Sequence, residues 1–126
     1  MKTRTFTLAV AVLTLLGVGC DQRIADFTVI STRNVDLSRM GEYEKSAVRV
    51  RGKDYIPLFL FFGTDRDPDL KEAIDDALNE VPGAVALIDG VIYKRDWWFI
   101  FGEDSLIIEG TPLIDPKVVT PPAPPE

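Results

Sequence analysis

The chain has 126 residues, enough for one hydrophobic core and too few for two. Its 14 basic and 20 acidic residues give a net charge of −6, which argues against bulk electrostatic binding to nucleic acid or anionic lipid. It has no histidine and a single cysteine, so imidazole-based catalysis, imidazole metal sites and a disulfide within these residues are excluded.

The first element is an export signal. Lys2 and Arg4 precede an apolar run over 6–16, and Gly17, Val18 and Gly19 close it. A charged start, a short apolar stretch and small residues at its end mark a secretory signal over 1–19. The run falls short of the roughly 20 residues that cross a bilayer. Cys20 follows, and LGVGC resembles the lipobox of bacterial lipoproteins, with Leu16 four residues before the cysteine rather than the usual three. That resemblance implies a diacylglyceryl group and an N-acyl chain on Cys20. A single acyl chain binds a membrane with a constant of only about 10⁴ M⁻¹, so more than one is needed for firm anchoring. A lone thiol is otherwise an odd export into an oxidising compartment. Loss of 1–19 leaves 107 residues, 12 basic and 20 acidic, with a net charge of −8. Asp21, next in line, resembles the signal that retains lipoproteins in the inner membrane of enteric-type bacteria. A periplasm-facing location is expected, with the inner membrane favoured over the outer. Residues 20–23 are expected to be the lipidated N-terminus and a short tether, and 24–116 a single domain.

A partly alternating strand is expected over 24–32, with Phe27 and Val29 on one side. Residues 31–46 form a polar connector bearing Arg33, Asn34, Asp36 and Arg39. A second strand over 47–51 should turn Val48 and Val50 inward, and Arg49 and Arg51 outward. A third, over 56–62, starts at Pro57. The chain then changes period. Leu70, Ala73, Ile74, Ala77, Leu78 and Val81 recur at helical spacing, and Lys71, Glu72, Asp75, Asp76, Asn79 and Glu80 line the opposite face. Asp67 reads as the N-cap, Pro68 as the first helical position and Asp69 as a first-turn acid. Pro82 and Gly83 end the helix, and Ile74 and Leu78 should be core. Runs over 84–93, 97–101 and 106–113 follow, with 94–96 and 102–104 as connections, which predicts antiparallel hairpins. Residues 117–126 are expected to be a disordered Pro-rich tail, its last seven residues holding four prolines. The fold class is α+β: two layers, one amphipathic helix packed on a largely antiparallel sheet of about five to six strands.

Candidate sites are few. Asp65, Asp67, Asp69 and Asp76 fall at the first, third, fifth and twelfth positions of an EF-hand-like loop. Leu70 stands where that loop requires glycine, and helix capping accounts for the same acids, so no metal is expected. Asp75–Asp76 and Glu103–Asp104 could serve as paired carboxylates, but a helix's polar face and a turn are the expected settings. The run from Trp97 to Phe101 is the sharper feature. Alternation puts Trp97, Phe99 and Phe101 on one face and Trp98 and Ile100 on the other. The first set is expected to point inward. Trp98 and Ile100 are then the expected surface for an envelope protein partner.

The segments FTVISTRNVDLS, VRGKD, LKEAIDDALNEVPGAVALIDGVI and IIEGTPL follow the lipobox in that order. The order, from Cys20 to Leu113, is similar to small bacterial lipoproteins of the TRL-like (tRNA-associated locus) group. The resemblance implies location and fold; it supplies no functional residues, and Gly52 and Gly110 would be turn or bulge positions. The chain is thus read as a lipid-anchored, non-catalytic binding or accessory component of an envelope assembly. Its membrane attachment runs through Cys20, without a cofactor and without nucleic acid. The alternatives are a small envelope enzyme using paired carboxylates and a purely structural lipoprotein.

Overall fold

The computed structural model describes residues 21–59, 66–97 and 101–119. Along the chain come β1 (Asp21–Ile30), a 3-10 helix (Leu37–Glu42), β2 (Glu44–Lys45), β3 (Val50–Phe59), α1 (Leu70–Asn79), β4 (Ala84–Trp97), β5 (Phe101–Ile114) and a helical turn α2 (Pro116–Val119). The strands form one curled, antiparallel five-stranded sheet, so the α+β class holds in its coarse form. β1 pairs with β4, and β4 with β5. The far side of β5 is shared: β2 takes its last residues and β3 the rest.

The strands are longer and fewer than the hydrophobic pattern predicts. β4 and β5 have 14 residues each and take in the expected runs over 84–93 and 106–113 and the two end residues of the run over 97–101, of which 98–100 lie outside the described residues. Lys94, Arg95 and Asp96 lie inside β4, and Gly102, Glu103 and Asp104 inside β5. Their charges are matched across the sheet, as in the Lys94–Asp104 pair at 3.5 Å, so they continue the strand rather than end it. β3 likewise takes in Val50 and Arg51 of the first expected run and 56–59 of the second; 60–62 lie outside the described residues. Val50 is buried, but Val48 precedes the strand and is exposed. Pro57 sits within β3 rather than at its start. An outer strand tolerates proline because one of its edges makes no ladder bonds. The β4 ladder shifts register between Ile88 and Val91, where Asp89 takes a φ of 50°. Such a bulge bends a strand and increases its twist, which suits the curl.

One core cluster joins Val50, Leu87, Ile92 and Ile108 of the sheet to Ala73, Ile74, Ala77 and Leu78 of α1. Ile74 and Leu78 are buried, as their spacing predicts. The helix starts later than expected: Asp69, not Asp67, is the N-cap, its side chain accepting from the Lys71 N–H at 2.8 Å. A second cluster, Ala86, Ile88 and Leu113, is covered by Val35 and Tyr43. The expected connector therefore supplies core contacts on the other side. Gly52 and Gly110 are inside paired strands, not at turns: Gly52 lies opposite Ile108, and Gly110 opposite Val50. At Gly52 the backbones of β3 and α1 approach so closely that only glycine fits.

The expected tether does not exist as such. Asp21, Gln22 and Arg23 are already in β1, opposite Arg95, Lys94 and Tyr93. The start of the expected tail is also ordered. In α2 the Lys117 N–H donates to Asp115 at 3.0 Å, and the Lys117 ammonium lies 3.0 Å from Glu42.

Candidate functional site

Chemistry-bearing side chains gather at the end of the sheet where β1 starts. Register sets this: Asp21 lies opposite Arg95, Arg95 opposite Ser105, and Ser105 opposite Tyr55. Arg95 grips both carboxylate oxygens of Asp21, through Nε and, at 2.8 Å, through a terminal nitrogen. Arg51 stands 3.7 Å away. The Arg95 hydrogen bond, helped by the charges of Arg95, Arg51 and Lys53, holds the Asp21 carboxyl below its ordinary range. The expected sorting residue is thus a strand residue with its charge already engaged. Beside it, Lys53 contacts Glu103 at 2.5 Å. Burial alone would raise the Glu103 carboxyl, but Lys53, Ser105 and Arg95 outweigh it and hold it low.

Alternation splits Glu103 from Asp104, so that expected pair does not form. Asp104 meets Asp96 instead, directly across the β4–β5 ladder. Lys94 lies 3.6 Å from Asp96 and 3.5 Å from Asp104. Asp104 Oδ1 is buried without a hydrogen-bond partner among the described residues. Burial first, then the facing Asp96 carboxyl, raise Asp104 above the ordinary carboxylate range, and Lys94 only partly offsets them. Eight residues separate the two acids, so only strand register reveals them. A raised carboxyl favours the fold while protonated, and that contribution is lost as pH rises from the usual carboxylate range through its folded value. Asp104→Asn should therefore melt higher than wild type at neutral pH, and the gap should close near pH 3. Melting curves at both pH values check this; a lower melting temperature for the variant at neutral pH would refute it.

The other acids are committed to structure. Asp76 Oδ2 accepts the Lys53 backbone N–H at 3.0 Å, tying α1 to β3. Asp75 accepts from Lys71 at 2.7 Å and from the Thr32 hydroxyl. These bonds, Lys71 first, hold its carboxyl low. Asp54 accepts the Asp69 N–H at 2.8 Å and pairs with Arg66 at 3.1 Å. Asp65 lies outside the described residues, and no group among those described could hold a metal ion. In the 31–46 segment, Arg33 donates to the Ala84 carbonyl at 2.5 Å and to Asn79 at 2.7 Å. Asp36 caps the 3-10 helix, and Arg39 binds Asp115 with two donors. Arg33, Asp36 and Arg39 are thus engaged in holding the segment on the fold. Beside the segment lies an open groove of about 240 Å³, floored by Val29, Ile88 and Leu113 and edged by Met40, Tyr43 and Lys45.

The aromatic expectation is only partly met. Trp98 and Ile100, the expected partner surface, lie outside the described residues, as do Phe99 and Cys20. Trp97 is half-buried. Phe101 is not inward: it is 63% exposed, and Phe59, directly opposite, is 51% exposed. Their rings meet at a tilt of 47°, centroids 5.2 Å apart. The reason is position along the sheet. Among the described residues, α1 and the 31–46 segment pack their buried faces on the half of the sheet away from this end. A comparison with protein-family models, curated proteins and solved structures returns no match to this chain.

Proposed function

We propose that this is a lipid-anchored lipoprotein of the bacterial cell envelope. It faces the periplasm and acts as a non-catalytic binding or accessory component of an envelope assembly. The observation that carries the reading is LGVGC, an apolar signal ending at the chain's single cysteine. The first strand, beginning at Asp21, supports it: a fold that starts one residue after Cys20 is held against the surface that takes the acyl chains. The order of short segments that resembles the TRL-like lipoproteins supports the same address and adds no residue roles. In this reading α1 forms the second layer, over one face of the sheet, and the inner membrane remains the favoured location through Asp21.

One observation favours an enzyme instead: the Asp96–Asp104 pair, in which one acid is raised and could hold a proton for general-acid work. The groove beside the 31–46 segment includes neither acid, so it does not serve the pair as a substrate site. Binding remains the better-supported role.

Cys20→Ser tests the reading. It should abolish lipidation and move the protein from the detergent phase to the aqueous phase, because the acidic chain has no other firm attachment. Equal partitioning of wild type and variant would sink the lipoprotein reading.

A further inference from the structure

The anchor end and the aromatic end of the sheet are the same end. β1 runs antiparallel to β4, so its first residue, Asp21, lies beside Arg95, two residues before the end of β4. β5 continues that level through Ser105, and β3 through Tyr55. Phe59 and Phe101 sit four residues further along their strands, opposite each other. At roughly 3.3 Å per residue, they reach about 13 Å beyond the level of Asp21. The residue covalently joined to Asp21 is Cys20.

This geometry sets a depth. The polar band of one bilayer leaflet is about 5–8 Å thick. A fold whose first strand begins one residue after an acylated cysteine has no linker to hold it clear of that band. Strands that extend about 13 Å past the attachment level enter it when they stand along the membrane normal. The side chains delivered there suit the setting. Phe59 and Phe101 are exposed and in contact with each other, and Tyr55, 55% exposed, lies four residues before Phe59 on β3, at the level of Asp21. Trp97, half-buried, closes β4. Amphipathic aromatics concentrate at this depth in membrane proteins.

Charge does not oppose the contact. The chain is acidic overall, yet each acid flanking this end has a cation beside it. Asp21 is held by Arg95, Glu103 by Lys53, and Asp96 and Asp104 by Lys94. Among the described residues this end therefore presents paired charge behind Phe59 and Phe101, which an anionic leaflet does not repel as it would an unpaired acidic rim.

We propose that the Phe59, Phe101 and Trp97 end of the sheet is a membrane-contact surface. It rests in the headgroup region of the same leaflet that receives the acyl chains of Cys20, and it fixes the domain upright on the membrane. The inference rests on the lipoprotein reading for the position of the anchor, but its own contact is made by side chains.

The chain has two tryptophans, Trp97 and Trp98, so Trp98→Phe leaves Trp97 as the sole indole. This variant of the lipidated protein is reconstituted into phosphatidylethanolamine–phosphatidylglycerol vesicles, with or without brominated acyl chains. Trp97 emission should shift to the blue and be quenched about twofold by the brominated lipid, as for an indole at interfacial depth. Adding Phe59→Ser and Phe101→Ser should reduce that quenching while flotation with the vesicles and the melting temperature hold, since both rings are exposed. Flotation without quenching would overturn the contact and leave the anchor standing. Equal flotation of wild type and Cys20→Ser, with quenching in both, would keep the contact and remove the anchor. Shielding of Trp97 in native membranes without quenching in brominated vesicles would assign the surface to a protein partner and overturn the proposal.

Discussion

Gly52→Ala should destabilise the fold by about 3 kcal/mol or more. An added Cβ would overlap the Ala73 carbonyl oxygen and stand 2.5 Å from the Ala77 nitrogen and 2.7 Å from the Ala77 Cβ. These are helix backbone atoms and a methyl on a rigid turn, so no flexible side chain can swing away. Nor can α1 lift freely. In the two residues after Gly52, the Lys53 N–H is held by Asp76 and the Asp54 carboxylate holds the Asp69 N–H. Moving the helix stretches both bonds and opens the Ala73–Ala77 packing. Overpacked cores commonly lose about 1–3 kcal/mol and sometimes more; with backbone as the obstacle, the upper end or beyond is expected. Small domains have roughly 5–15 kcal/mol in all. Urea unfolding of purified protein reads the effect directly. A loss under about 1 kcal/mol would mean that β3 and α1 do not approach as described.

Leu78→Ala should be nearly as damaging, at about 2–5 kcal/mol. Leu78 is fully buried in the cluster that joins α1 to the sheet, and truncation leaves a cavity there. Asp76→Ala, on the same helix, should cost only about 1 kcal/mol. It removes the acceptor for one strand N–H near the surface, and water can replace it. The polar-face reading of Asp76 expects no loss; the bond to Lys53 is the reason for the difference. The ratio of the two effects is the informative quantity. Equal losses would mean that α1 is held by its polar contacts more than by its apolar stripe.

The helix was readable because its apolar stripe has a period no strand shares, and Ile74 and Leu78 fall where that period puts them. Its start was misplaced by two residues because Asp67 and Asp69 are both competent caps. Only the carboxylate of Asp54, distant in sequence, selects Asp69. The strands were harder. Lys94, Arg95 and Asp96 look like a turn to any reading based on polarity, and their partners Asp21 and Asp104 are identified only by register. The same blindness hid the Asp96–Asp104 pair and made Glu103–Asp104 look like neighbours when strand alternation parts them. The segment over 31–46 reads as a plain polar connector because its polar residues outnumber Val35 and Tyr43, the two that cover the second cluster. Phe101 was expected inside because large aromatics usually are. Nothing in its neighbours reveals that the helix ends short of it.

The proposed location of this domain depends on what Cys20 becomes. Intact-mass spectrometry of the protein extracted from its native membranes answers this without a variant. The predicted result is a chain beginning at Cys20 whose added mass matches a diacylglyceryl group and an amide-linked acyl chain. A chain that keeps residues 1–19, or that carries an unmodified Cys20 thiol, would contradict the account.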